Sequence, residues 1–334
     1  MHIPENYLSP ATCAVMTVAM VPVWTHAVKR VKLDLPKEKI PFIGVGAAFS
    51  FLGMMFNVPL PGGTTGHAVG GTLIALLFGP DAACLAVSVA LLIQALIFGD
   101  GGVLAFGANC FNMAFVLPFT GYFIYHGLKK VISSDTVAAG IGAYVGINAA
   151  AFCAAVEFGI QPLLFTDAAG QALYCPYPLW ISLPAMMIGH LTLFGLAEVV
   201  FTTGVLAYLR KTSPDLFQLA APASSNKSLF GLLAALIVAT PLGLLAAGTA
   251  WGEWDAEELA DTDFFGSALG YTPAGMENGF SFDVLMPDYA IAGLPDAAGY
   301  IISAIVGTAL LIIIFKIIAS LLPSRPTFDT PAQH

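Results

Sequence analysis

The chain opens MHIPENYLSP. In that start three nitrogens fall within two residues: the Met1 amine, the His2 backbone amide and the His2 imidazole Nδ1. Amine and amide close a five-membered chelate ring; amide and Nδ1 close a six-membered one. With the amide deprotonated these atoms take three corners of a square plane, a nitrogen geometry that suits Ni(II) or Cu(II). No other position offers a primary amine beside a histidine. The start has neither the basic region nor the long apolar run of a signal peptide. An initiator methionine is normally retained before a residue as large as histidine, so Met1 is expected to stay.

A fourth donor must come from elsewhere, and the elements decide which. Hydrophobic residues make up 57% of the 334 and charged residues 10%, with mean hydropathy +0.82. Soluble domains carry about 25% charged residues. So few charges cannot cover a water-soluble particle of this size, and the expected fold class is an all-α integral membrane protein. Nine apolar segments are read at 10–28, 40–58, 67–80, 82–98, 108–127, 136–159, 178–209, 228–250 and 297–322. The third and fourth are shorter than a full span. The seventh contains Pro184 and is expected to kink or to begin as an interfacial piece. The five cysteines show no C-x-x-C pair and read as small core hydrophobes.

Charge orients these segments. Lys29, Arg30, Lys32, Lys37 and Lys39 fill the first connection, Lys129 and Lys130 follow the fifth segment, Arg210, Lys211 and Lys227 lie between the seventh and eighth, and Lys316 and Arg325 stand at the end of the ninth. An outside N-terminus puts all twelve on the cytoplasmic side or at its interface, as the positive-inside rule requires. Residues 251–296 are then outside, with ten Asp or Glu and no Lys or Arg. They are a solvated acidic loop or, on a sharper reading, a device that concentrates cations near an access point. Residues 212–227, rich in Ala, Pro and Ser, read as a linker. The chain thus divides into a seven-helix module, 1–211, and a two-helix module, 228–322.

The outer face selects the fourth donor. Of six histidines, His26 and His126 fall near cytoplasmic ends, His190 is mid-span and His334 is in the tail. His67 closes NVPLPGGTTGH, the outer connection that begins at Asn57, and is expected to complete the plane with Met1 and His2. The other histidines are read as structural. A second outer connection, FGDGGVLAFGANCFN, carries Asp100, Asn109 and Asn112 near membrane depth, where polar groups are costly without partners. These, with Asn57, are either a shell supporting the histidines or helix caps and loop hydrogen bonds. No G-K-[ST] phosphate loop is present, so no bound nucleotide is expected.

MHIPENYL resembles the N-terminal MHIP(D/E)G(F/Y)L signature of the CbiM/NikM family, substrate-binding membrane components of energy-coupling-factor transporters for cobalt and nickel. PGGTTGHAVGG and QALIFGDGGVLAFGANCFNMA resemble that family's further loops, and the three occur in order over about residues 1–210. The resemblance implies that Met1, His2 and His67 hold Ni2+ or Co2+ as transported substrate, and that the N-terminus inserts into its own seven-helix core. It further implies a membrane coupling subunit (CbiQ/NikQ-like) and a cytoplasmic ATPase pair (CbiO/NikO-like) as partners. Nucleic acid is not expected. Asn6 departs from the family's usual glycine, with an expected effect on the turn into the first helix. Residues 228–322, with WGEW and LMPDYAIAGL, are similar to the small two-span partner CbiN/NikN, here fused.

A stand-alone secondary transporter or channel would need polar groups along a path; only Glu157 and Glu198 lie in or beside spans. An intramembrane hydrolase finds no G-x-S-x-G elbow. A sensor or storage protein would bind the ion without flux.

Overall fold

The computed structural model describes residues 1–60, 63–214, 227–246, 248–261 and 269–322. Nine helices of eight residues or more run through them: α1 Pro10–Asp34, α2 Ile40–Met54, α3 Gly71–Phe78, α4 Pro80–Phe98, α5 106–128, α6 Asp135–Gly159, α7 Leu179–Thr212, α8 Lys227–Leu245 and α9 Asp296–Leu321. Six regions, built on α1, α4, α6, α7, α8 and α9, are long and apolar enough to cross a membrane. On α1, Cys13, Met20, Ala27 and Val31 face inward along one stripe, while Val15 and Val18 are about two-thirds exposed, at 66% and 68%. That outward apolar face suits lipid. α6 packs between α5 and α7, α4 against α1, α2 and α3, and α9 lies along α2.

Several elements differ from expectation for local reasons. The third segment is helical only over Gly71–Phe78, not 67–80. Gly70 adopts a left-handed φ of 71° and Gly79 one of 87°, so both ends are set by backbone that glycine tolerates best. Residues 67–70 ahead of it lie outside helix and strand. α2 stops at Met54, because the chain then forms an antiparallel hairpin, Val58–Leu60 against Thr64–Gly66, with Val58 opposite Gly66. α7 is one continuous helix from Leu179, with Pro184 inside it. Its irregularity is a π turn at His190–Phe194, a feature that often accompanies function. Most of the expected linker, 215–226, lies outside the described residues, as do Arg325 and His334.

Residues 1–9 fold inward as an extended plug. Ile3 is 0% exposed and Tyr7 and Leu8 are each 1%. Ser9 ends the plug and caps α1, its Oγ accepting from the Thr12 N–H at 3.1 Å, with Pro10 in the first turn. The Ser9 N–H is itself taken by Gln161 Oε1 at 3.0 Å. The acidic segment is more ordered than a solvated loop. Trp251 packs edge-on to Phe158, centroids 5.7 Å apart, and Tyr289 lies 4.9 Å from Phe98. These aromatic anchors fold the segment over the plug. Residues 262–268 lie outside the described residues.

Asn6 turns the plug toward α1 with a φ of 63°, the left-handed region. Asparagine tolerates that region better than other side-chained residues. Its side chain also accepts from the Phe280 N–H at 3.0 Å and donates to the Phe280 carbonyl at 2.9 Å, tying the plug to the acidic segment. Asn6→Ala is therefore expected to lower stability by about 1–2 kcal/mol. Asn6→Gly, which keeps the conformation and loses only the two bonds, should cost less. Thermal unfolding of the three proteins in detergent checks the order, and an Ala variant as stable as Gly would contradict it.

Candidate metal centre

The plug delivers its first two residues to the hairpin that leads into α3. His67 Nε2 stands 3.1 Å from His2 Nδ1, with ring centroids 4.9 Å apart. Both rings are buried, at 3% and 4% exposure. Two nitrogens at adjacent corners of a plane, each about 2.0–2.1 Å from an ion, lie about 2.8–3.0 Å apart. The observed pair is thus already close to the separation an ion between them demands. His67 Nδ1 faces its neighbour Ala68's carbonyl at 3.3 Å, the usual arrangement that leaves Nε2 as the donor. The Met1 ammonium pairs with Glu253 Oε1 at 3.3 Å. No three His, Cys, Asp or Glu side chains among the described residues gather as a metal cage. The available donor set is instead half main chain: the terminal amine and the His2 amide beside two imidazoles.

The supports are dense. Asn109 holds the Ile3 peptide from both sides, accepting its N–H at 2.7 Å and donating to its carbonyl at 3.0 Å. The Gly102 N–H also donates to the Ile3 carbonyl, at 2.9 Å. Glu5 reaches across to accept the Val103 N–H at 2.7 Å. The His2 ring is set by Asp100 Oδ1, 3.1 Å from Nδ1, and by Gln94 Oε1, 3.3 Å from Nε2. Gln94 donates in turn to Asp100 Oδ2 and to Tyr289 Oη, both at 2.9 Å, and the Tyr289 hydroxyl donates to Asp100. A network of three side chains, Gln94, Asp100 and Tyr289, therefore orients one imidazole.

Electrostatics keeps the imidazoles as lone-pair donors. Burial, and next the Met1 ammonium, push His2 down to about 4. Burial, then the Met1 ammonium, then His2, push His67 well below the ordinary histidine value; His190 contributes in the same direction. Burial raises Asp100, opposed by the Tyr289 and Gln94 hydrogen bonds and the ammonium. The site opens into a cavity of about 260 Å³ lined by His2, Asn57, His67, Asp100, Glu253 and Tyr289, among others.

Met1, His2, His67, Asn57, Asp100 and Asn109 thus come together. Asn112 does not: it donates to Glu157 Oε2 at 2.8 Å, away from the histidines. Gln94, Glu253 and Tyr289 were missed. Gln94 had a signal, an amide inside an apolar span. Glu253 and Tyr289 had only the acidic character and the WGEW and LMPDYAIAGL stretches of their segment; their pairing with the plug was hidden, because 252 positions separate Glu253 from Met1. A larger cavity, about 770 Å³, lies at the other end of α1 and is lined by His26 and His126. His190 is buried, its Nδ1 2.8 Å from the Met186 carbonyl. Glu157 and Glu198 are both engaged by protein groups and neither lines the histidine cavity.

The CbiM family model, described as a cobalt uptake substrate-specific transmembrane region, matches residues 2–216, and a PDGLE domain model matches 225–324. The chain is 51% identical over 319 residues to a probable fused nickel transport protein LarMN of Lactiplantibacillus plantarum, covering 95% of this chain and 96% of that one. It is 47% identical over 330 residues to the fused nickel transport protein NikMN of Rhodobacter capsulatus, covering 93% and 95%. A crystal structure of a truncated transition metal transporter superposes with a TM-score of 0.61 at 55% identity, covering 63% of this chain and 99% of that one.

The low His2 value predicts a pH dependence. Once unfolded, His2 titrates near its ordinary 6.5, while in the native protein it does so at about 4. Between these values the unfolded chain takes up a proton that the native one refuses. Stability of the metal-free protein should therefore fall as pH drops from about 6.5 to about 4, by roughly 3 kcal/mol from His2 alone. His67 adds in the same direction. Thermal midpoints in chelator across this range test it, with His2→Gln flattening the slope; a midpoint that rises on acidification would overturn it.

Proposed function

This chain belongs to the CbiM family of substrate-specific transmembrane components, carries a CbiN-like PDGLE domain in the same polypeptide, and on that premise we propose that it captures nickel or cobalt ions for uptake across the membrane. The protein is multi-pass and is a transporter component, not an enzyme. The ligands we assign are the Met1 amine, the deprotonated His2 amide, His2 Nδ1 and His67 Nε2. The observation that carries this assignment is the 3.1 Å separation of the two imidazole nitrogens, beside the buried N-terminus. A square plane of four nitrogens favours Ni(II) and accepts Co(II); copper binds such donors more tightly by intrinsic order, so rigidity and supply decide selectivity.

In this reading the N-terminus is outside. The support is the separation of charge: Asp135 gathers Lys129 at 2.5 Å and Arg210 at 3.1 Å at one end of the bundle, while Asp100, Glu253 and Asp288 line the cavity at the other. Residues 1–211 form the metal-binding module, 212–227 a cytoplasmic linker, and 228–322 the CbiN-like module with its outside loop at 251–296. A hydrated ion reaches the acidic mouth, sheds water, and displaces the contact between His2 and His67. Met1 leaves Glu253 to join the plane. Asn109, by fixing the Ile3 peptide, and the Gln94–Asp100–Tyr289 network, by fixing the His2 ring, hold the chelate's geometry ready, which lowers the ordering cost of binding. ATP hydrolysis and coupling reside in a CbiQ/NikQ-like membrane subunit and a CbiO/NikO-like ATPase pair. A stand-alone channel would need acids along a path, and neither Glu157 nor Glu198 lines the histidine cavity.

Adding one residue before Met1 displaces the amine without touching a side chain. The native chain should bind one nickel or cobalt ion and release about two protons, one from the ammonium and one from the amide. The extended chain should lose the ion. Metal analysis of the two purified proteins, with calorimetry in buffers of different protonation enthalpy, measures both. Equal metal content in the two would refute the N-terminal chelate.

A further inference from the structure

His67 is gripped from behind by α7. Glu198, on that helix, is 0% exposed. Its Oε2 accepts the Val69 N–H at 2.7 Å and the Gly70 N–H at 2.9 Å, and Oε1 approaches Gly70 N at 3.2 Å. These are the N–H groups at the mouth of α3, two and three residues past His67. Phe194, one helical turn before Glu198, fills the space beside Gly66, where a Cβ would stand 2.5 Å from its ring. Phe201, nearly one turn after, stands where a Cβ on Gly70 would come within 2.7 Å. Residues 194, 198 and 201 share one helix face by their spacing. That face therefore holds the chain on both sides of His67.

A fully buried carboxylate is expensive among apolar spans, and groups of this kind mark function more often than plain stability. A helix start can be capped more cheaply by a local Ser, Thr, Asp or Asn. Here the cap comes instead from a span about 130 residues away, at a sequence separation of 129. The other ligands are held by different elements: the plug by Asn109 on α5 and Gln94 on α4. Of the four nitrogens, only His67 is flanked by peptides that α7 clamps.

We propose that Glu198 is a positioning residue for metal capture: by clamping the Val69 and Gly70 peptides to α7 it sets where His67 Nε2 stands relative to the N-terminal chelate. This rests on the assignment of His67 as a ligand. A shift of α7 that carries the Val69 and Gly70 peptides with it then moves His67 relative to the N-terminal chelate.

The test is a double-mutant cycle on the full chain in detergent, using nickel alone as probe. Glu198→Gln keeps the size but removes the charge and leaves one accepting oxygen in place of two. It should weaken nickel binding at least about tenfold and change the visible absorption of the bound nickel toward that of His67→Ala. In the His67→Ala background the same change should add less than about twofold, because the ligand being positioned is gone. Glu198→Asp, which keeps the charge and withdraws the oxygens, goes through the same cycle and decides the matter if the Gln variant does not fold. Unchanged binding, or an equal loss in both backgrounds, overturns the proposal. Wild-type protein that binds no nickel or cobalt would instead sink the ligand assignment on which it rests.

Discussion

A charged chain terminus placed in a dry interior is the constraint on which this structure turns. Amine, peptide groups and a histidine cannot enter an apolar bundle without partners for each polar atom. The molecule meets that demand group by group. Glu253 takes the Met1 ammonium, Asn109 both polar groups of the Ile3 peptide, Gln161 the Ser9 N–H and Asp100 with Gln94 the His2 ring. These partners come from three stretches of chain: Gln94 to Asn109, Gln161 and Glu253. The bundle is consequently organised around its own N-terminus, and the apolar residues Ile3, Tyr7 and Leu8 complete the seal.

The same constraint explains why the C-terminal domain lies where it does. Glu253 and Tyr289 come from the segment between α8 and α9, and that segment is folded by Trp251, Tyr289 and the Asn6–Phe280 bonds rather than left in solvent. Tyr289 has a φ of 61° and follows Asp288 at 52°. Left-handed backbone at two consecutive side-chained residues costs energy and persists only where surroundings demand it. Here the demand is the hydroxyl's place between Gln94 and Asp100. Fusion of the two modules in one polypeptide thus has a local consequence: the CbiN-like part completes the polar lining of the CbiM-like part's cavity.

Preorganisation and mobility are divided between elements. Imidazoles held neutral by burial, at near-coordinating separation, need little rearrangement to accept an ion. Yet an uptake protein must also let go. In the proposed reading the N-terminal donors are held through Asn109, Gln94 and Glu253, and the chain beside the fourth donor is clamped by Glu198 of α7.

Much was legible before folding. Low charge and long apolar runs determined a membrane protein, since a helix satisfies its own backbone in lipid. That Met1 and His2 stand together is covalent, and the outer placement of the hairpin pointed to His67, which the fold does bring to His2. Asn6 could be noticed as a departure, but not its bond to Phe280. What tertiary structure alone decided were relations between distant residues: that Asn112 turns to Glu157 while Asn109 turns to the plug, that α3 begins only at Gly71, and that Glu253, Tyr289 and Glu198 converge on two histidines. The physical reason is range. Periodicity, chelate rings and charge bias are properties of neighbours along the chain, whereas the partner of a buried polar atom is chosen by packing, which sequence spacing does not encode.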